Sequence, residues 1–232
     1  MNKSSLIKKI IILALILALP GFLYYLLTAE GKNRYKPLPI YGPKLVAKTF
    51  HTIKGKQIPD TIYHTLSDFN LKDQNGKQVS FKTLDKKIFV VNFFYTHCPT
   101  ICNEVNVNID SLAANYAKNK MVYFVSITVD PTRDSEAVLK GYADKLKLTT
   151  PNWLFLTGDT TTTYNLARKG LLVDALQTGD DFVYSNQLIL VDSEKRIRGY
   201  YSGTLTDDLV RLNDEIKVLI TEELRHNDKP LY

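Results

Sequence analysis

Apolar residues along the chain fall into short unbroken runs and into longer stretches where they recur every three or four positions. The run at 88–94 is rich in β-branched and aromatic residues. Such a run predicts a strand buried on both faces, as in the middle of an α/β sheet. Cys98 and Cys102 follow it, and then a stretch at 103–118 with one apolar helical face: Val105, Ile109, Leu112 and Tyr116. The pattern therefore places both cysteines where a central strand ends and a helix begins.

The rest of the pattern adds strands and helices around this unit. Further strands are predicted at 61–66, 121–129 and 153–157. Hairpins are predicted over 69–81, with a turn at Asn75-Gly76, and over 188–201. Helices are predicted after 130–134, over 160–169 with Gly170 as the C-cap, and from Thr206 onward. This order predicts an α/β fold, a thioredoxin-like sandwich with a central mixed sheet and helices on both faces.

An uncharged apolar stretch at 10–27 follows Lys3, Lys8 and Lys9. It is long enough to span a bilayer core and predicts one N-terminal transmembrane helix. The preceding lysines predict a cytoplasmic N-terminus and an exported domain, on the periplasmic or extracytoplasmic face of a bacterial inner membrane. A cleaved signal peptide is the alternative. The predicted organisation is an anchor at 1–30, an extended linker at 31–60, a globular domain at 61–226 and a tail at 227–232.

Charge and cysteine count narrow the classes of function. The net charge of +6 comes from lysines scattered along the sequence, without a basic run interleaved with aromatic residues. This distribution is typical of a solvated surface and does not predict nucleic-acid binding. Cys98 and Cys102 are the only cysteines in the sequence. They are too few for the disulfide scaffold of a small secreted domain, but they suffice for one functional pair.

The position of the pair predicts its chemistry. A helix N-terminus stabilises negative charge, so a cysteine in the first helical turn has a favoured thiolate. Two thiolates on one side of the turn can close a disulfide or bind a soft metal ion such as Cu(I). The alternative is a pair of buried structural cysteines. Retention of the only two cysteines at one strand-to-helix junction favours the functional interpretation.

Three segments together resemble the Sco/SenC family: Phe-Phe-Tyr-Thr-His-Cys-Pro-Thr-Ile-Cys at 93–102, Ser-Ile-Thr-Val-Asp-Pro at 126–131, and Trp-Leu-Phe-Leu-Thr-Gly at 153–158. The resemblance runs from about Thr61 to Leu224. It implies a thioredoxin-fold copper protein that delivers copper to, or reduces the thiols of, the copper centre of cytochrome c oxidase subunit II, or that serves another copper-site protein. It also implies that Cys98 and Cys102 are copper ligands.

The family's third copper ligand is a histidine, and this sequence has Tyr184 at the aligned position. A neutral phenol with a pKa of about 10 is a poor ligand for Cu(I). Two thiolates can still hold Cu(I), whereas Cu(II) binding should be weakened, so Cu(I) is the expected ion. His97, beside Cys98, is interpreted as a loop residue that helps to keep the thiolate charged, with a substitute ligand as the alternative. Asp130, in the Val-Asp-Pro segment, is a further accessory candidate.

Two functions remain open on these grounds. One is a membrane-anchored copper chaperone for assembly of a respiratory oxidase. The other is a thiol–disulfide reductase, in which Cys98 attacks a partner disulfide and Cys102 resolves the mixed disulfide. A peroxidase related to peroxiredoxins is disfavoured, because Tyr95 and Val91 stand where that family has a hydroxyl residue and a proline. A module that only binds a partner is disfavoured by the retained cysteine pair.

Overall fold

The computed structural model describes residues 3–29, 37–98, 100–147, 150–173, 175–178, 181–184 and 186–227. The chain divides into two units, 1–37 and 38–232. The first unit contains helix α1 (Lys3–Ala29). Counting only the part of the chain that is described, no helix is both long enough and apolar enough to cross a membrane.

The second unit is an α/β domain. Its strands are β1 (Lys44–Ile53), β2 (Lys56–Tyr63), β3 (Leu71–Asp73), β4 (Gln78–Val79), β5 (Ile88–Phe94), β6 (Val122–Thr128), β7 (Trp153–Thr157), β8 (Ala175–Thr178), β9 (Asp181–Tyr184), β10 (Gln187–Val191) and β11 (Ile197–Ser202). Its helices are α2 (Thr100–Ala114), α3 (Glu136–Lys145), α4 (Thr160–Asn165) and α5 (Thr206–Asn227), with a π-helical turn at Leu166–Gly170 after α4.

Seven strands form the central sheet in the order β11-β10-β5-β6-β7-β3-β4. β5, β6 and β7 are parallel, and the outer strands pair antiparallel to their neighbours. The sheet is therefore mixed, as the sequence predicts. Because the parallel strands share one carboxyl edge, the loops that follow β5 and β6 meet at that edge.

The core lies on both faces of the central sheet. All seven residues of β5 are buried, and they alternate between the two faces. Val90 and Phe94 pack in one cluster with apolar residues of α2, α3 and α5, while Val91 and Phe93 pack in the other with the π-helical turn. This burial confirms the prediction of a central strand. The loop that carries the cysteines begins directly after this strand.

Part of the segment expected to be an extended linker pairs as the β1–β2 hairpin, which the sequence pattern does not predict. Its turn is Lys54-Gly55, and both residues have positive φ, 50° and 77°. Two positive φ values are typical of a tight hairpin turn, and glycine at the second position allows it. A lysine at the first position is not a usual signal for such a turn, which is why the sequence pattern did not reveal the hairpin.

Two smaller corrections concern later elements. The helix expected over 160–169 ends as α4 at Asn165 and continues as the π-helical turn. The left-handed residue after it is Leu172, with φ of 56°, and not Gly170. A second hairpin, β8–β9, was not predicted and occupies the segment that contains Tyr184.

Candidate redox and metal site

Cys98 and Cys102 lie at the junction of β5 and α2 and are joined by a disulfide with a Cα–Cα distance of 5.9 Å. The loop that leaves β5 turns at Tyr95–Cys98, where the Cys98 N–H donates to the Tyr95 carbonyl oxygen at 3.1 Å. Helix α2 begins at Thr100, so Cys102 is in its first turn. Cys102 is 3% exposed, whereas Cys98 is partly exposed. The bridge therefore presents Cys98 to solvent and keeps Cys102 beneath it.

A buried carboxylate, Asp134, holds the cysteine loop against the end of the neighbouring strand. Asp134 is fully buried and accepts hydrogen bonds from the Thr96 N–H at 3.1 Å and from the hydroxyls of Thr96 and Thr128. The sequence reasoning missed this role, because it treated the cluster at 130–134 only as the start of a helix. The signal that could have found it is a carboxylate just after β6, beside the end of β5 in a parallel pair.

Asp130, the predicted accessory residue, is also buried, but its carboxylate is occupied within its own loop. It accepts from the Thr132 hydroxyl at 2.9 Å and from the guanidinium of Arg133. Its N–H donates to the Thr128 hydroxyl at 3.0 Å. These bonds shape the turn between β6 and α3, and they give Asp130 a structural task next to the cysteine loop.

His97 is exposed, and its Nδ1 lies 3.2 Å from the Thr96 hydroxyl. Within the described residues, no group of three His, Cys, Asp or Glu side chains is arranged to hold a metal ion. His51 pairs with Asp60 in the β1–β2 hairpin, and the Nε2 of His64 lies 2.7 Å from the Gly170 carbonyl oxygen. Each of these histidines thus has a hydrogen-bonding partner outside the cysteine pair.

Tyr184, at the position aligned with the family's histidine, is the last residue of β9 and pairs through its backbone with Ala175. Its side chain lies outside the described part of the structure. The donor set that is described consists of two sulfur atoms. As thiolates these are soft ligands suited to Cu(I), so the residues present fit this ion once the disulfide is reduced.

Known proteins resemble this chain in sequence and in structure. The model of the family described as SCO1/SenC matches residues 59–219. A SCO1 protein homolog of Bacillus subtilis is 28% identical over 67% of this chain and 84% of its own length. The structure of BsSco, described as a member of the Sco family of cytochrome c oxidase assembly proteins with a disulfide switch, has a TM-score of 0.60 at 25% identity and covers 67% of this chain and 93% of that one.

A second structure extends the comparison to a copper-bound relative. Arabidopsis thaliana ScoI with copper bound has a TM-score of 0.57 at 27% identity, and the match covers 70% of this chain and 99% of that one. The family match includes β5, the cysteine pair, α2 and the whole central sheet. The resemblance inferred from the three sequence segments is therefore confirmed, and this chain belongs to the SCO1/SenC family.

Proposed function

We propose that this protein binds Cu(I) through Cys98 and Cys102 and passes it to a copper site during assembly of a respiratory cytochrome c oxidase. The observation that carries the proposal is the pairing of the two sulfurs just after a fully buried central strand, with Cys98 partly exposed. Relatives of this chain include copper-bound proteins and proteins described as oxidase assembly factors. The expected partner is subunit II of the oxidase or another copper-site protein.

The disulfide defines the first step of this cycle. A thiol reductant transfers two electrons and two protons to Cys98 and Cys102 and is itself oxidised to a disulfide. The two thiols then lose their protons as they take up Cu(I), which is cargo in this scheme. A two-sulfur donor set favours Cu(I) over Cu(II), because Cu(II) prefers harder nitrogen and oxygen ligands in a tetragonal arrangement.

Membrane attachment is part of the same proposal. The uncharged sequence at 10–27 with its preceding lysines supports a single anchor whose following domain is exported. Fractionation and protease protection of cells that produce the full chain would test it. Recovery in the membrane fraction with a protease-accessible domain on the extracytoplasmic face is expected, and recovery in the soluble cytoplasmic fraction would contradict it.

A thiol–disulfide reductase is the second candidate. It is favoured by the disulfide, by the partial exposure of Cys98 above the buried Cys102, and by a described donor set limited to two sulfurs. In that function the Cys98 thiolate attacks a partner disulfide, and Cys102 then displaces the partner from Cys98. Copper would be optional.

Metal titration of three forms of the full chain in detergent separates the two functions. The forms are the parent, Tyr184→His, and the Cys98→Ala/Cys102→Ala double variant, each reduced, freed of reductant and titrated anaerobically with Cu(I) and with Cu(II). Copper delivery predicts tight binding of about one Cu(I) per parent chain and none in the double variant. Weak binding by the parent, restored by Tyr184→His, would support the reductase. Absence of copper binding in both the parent and Tyr184→His would contradict the copper function.

A further inference from the structure

Cys102 borders a small cavity whose lining surface is mainly apolar. Its lining includes Cys102, Asn92, Asn106 and Asn186, together with Phe94 and Val105. Cys102 and Asn106 are four residues apart on α2, so their side chains lie on the same helical face about 5–6 Å apart at Cβ. Three of the residues that line this cavity are asparagines, and their hydrogen bonds show what each one does.

Asn92 and Asn186 are already engaged. The Oδ1 of Asn92 accepts from the Ser126 hydroxyl at 2.6 Å, and Ser126 in turn accepts from the Trp153 indole N–H at 2.9 Å. Asn186 lies at the start of β10, where its carbonyl oxygen accepts from the Gly203 N–H at 2.9 Å and its amide donates to Thr204. These bonds tie the floor of the cavity to β6, β7 and the turn before α5.

Asn106 differs from the other two, because only one end of its amide is paired. The residue is 1% exposed, and its Nδ2 donates to the Tyr142 hydroxyl at 2.7 Å. Its Oδ1 is buried and has no hydrogen-bond partner within the described structure. Burial raises the pKa of Tyr142, so its hydroxyl stays neutral and continues to hold the amide nitrogen. The free oxygen therefore remains available to the cavity that Cys102 borders.

We propose that Asn106 is a positioning residue for Cys102, whose S–H donates to the Asn106 Oδ1 once the disulfide is reduced. A disulfide sulfur carries no hydrogen, so this bond forms only in the dithiol state. A buried acceptor that gains a partner on reduction is relieved of the free-energy cost of being unpaired. Asn106 therefore shifts the equilibrium of the pair toward the reduced form that takes up copper or attacks a disulfide.

The inference rests on the proposed function in one respect, because that function requires the pair to be reduced. Its test measures the reduction equilibrium directly and needs neither copper nor a partner protein. The full chain in detergent is equilibrated with dithiothreitol and its oxidised form at fixed pH, and the dithiol fraction is counted by alkylation. Dithiothreitol supplies two electrons and two protons and becomes a cyclic disulfide.

Asn106→Leu removes the acceptor with little change of shape, and Asn106→Ala removes it while enlarging the cavity. Both are expected to lower the equilibrium constant for reduction about 5–10-fold, since 1.4 kcal/mol is a factor of ten. Tenfold corresponds to about 30 mV for a two-electron couple. The same shift in two variants that differ in side-chain volume would separate the hydrogen bond from packing.

Thr163→Val is the matched control. Thr163 is fully buried on α4, and its hydroxyl oxygen is likewise unpaired in the described structure. The residues that follow it, Leu166 and Ala167, pack in the core cluster on the other face of the sheet from Cys102, so this variant should keep the parent equilibrium. A change of less than twofold in both Asn106 variants, or an equal change in Thr163→Val, would overturn the proposal. A parent disulfide that resists dithiothreitol would overturn the proposed function as well, which distinguishes the two failures.

Discussion

Asp134 shows at the residue scale how the cysteine loop is held in place. Its carboxylate accepts from one backbone N–H and two hydroxyls, which belong to Thr96 on the cysteine loop and Thr128 at the end of β6. Asp134→Asn replaces one of the two accepting oxygens with an amide nitrogen, so at least one of the three donors loses its acceptor. We expect a loss of about 3 kcal/mol in the free energy of unfolding, because a buried network loses a charged acceptor. Denaturant unfolding of the full chain measures it.

Asp144→Asn is the control for this prediction. Asp144 is exposed on α3 and pairs with Lys140 at 3.4 Å. Exposed pairs contribute little, so the change should stay within about 0.5 kcal/mol. The reduced Asp134→Asn protein should also alkylate faster at Cys98, since Thr96 is no longer held. Equal stability of the two variants would show that the Asp134 network does not fix the loop.

At the scale of elements, Arg198 joins the start of the domain to β11 and α5. Its guanidinium is 4% exposed and donates to the Leu38 carbonyl oxygen at 2.8 Å, to Asp192 at 3.0 Å and to Glu222 at 2.8 Å. Arg198→Met leaves two acidic groups short of a partner. A loss of about 3–5 kcal/mol is expected for breaking one side of a buried pair, with faster trypsin cleavage at Lys44 as the segment before β1 loosens.

Lys217→Met tests whether any lost ion pair on α5 has the same effect. Lys217 and Asp214 are both exposed and 2.9 Å apart, so this variant should unfold and be cleaved like the parent. If Arg198→Met also left both measurements unchanged, the link between the domain's first residues and α5 would be of no consequence for stability.

For the whole molecule, buried tyrosines predict sensitivity to high pH. Burial raises the pKa of Tyr116 to about 12, and its hydroxyl donates to the side-chain and backbone oxygens of Asn213. In the unfolded chain tyrosine loses its proton near pH 10. Between about pH 10 and 12 the unfolded state therefore binds fewer protons than the folded state, and stability falls as the pH rises.

The slope of this decline should reach about 1.4 kcal/mol per pH unit for one such group. Tyr116→Phe should lose about 1 kcal/mol of unfolding free energy near pH 7, because the bonds to Asn213 are gone. Above pH 10 its unfolding free energy should fall less steeply than that of the parent, by the contribution of one titrating group. Denaturant unfolding at pH 7, 10 and 11.5 measures both effects. Parallel declines in parent and variant would contradict the assignment to Tyr116.

Local patterns were sufficient to predict the centre of the fold. The run at β5 and the helical face of α2 depend on neighbouring residues; the strand lies at 88–94 as predicted, and the helix expected over 103–118 lies at Thr100–Ala114, so that Tyr116 falls in the turn after it. The Asp134 network joins residues 38 positions apart in sequence, so no local pattern reveals it. The β1–β2 hairpin was missed for another reason. Its turn at Lys54-Gly55 does not carry a usual hairpin signal, and its apolar residues, such as Leu45 and Phe50, are exposed and mark no buried face.

The most direct test of the central claim is Cu(I) binding to one preparation of the full chain in two states. The Cys98–Cys102 disulfide leaves neither sulfur as a thiolate, so the oxidised protein should bind no Cu(I) tightly. After reduction and anaerobic removal of the reductant, about one Cu(I) per chain should bind, with metal–sulfur coordination visible in X-ray absorption. Equal binding in both states, or coordination without sulfur, would contradict a cysteine-based copper site.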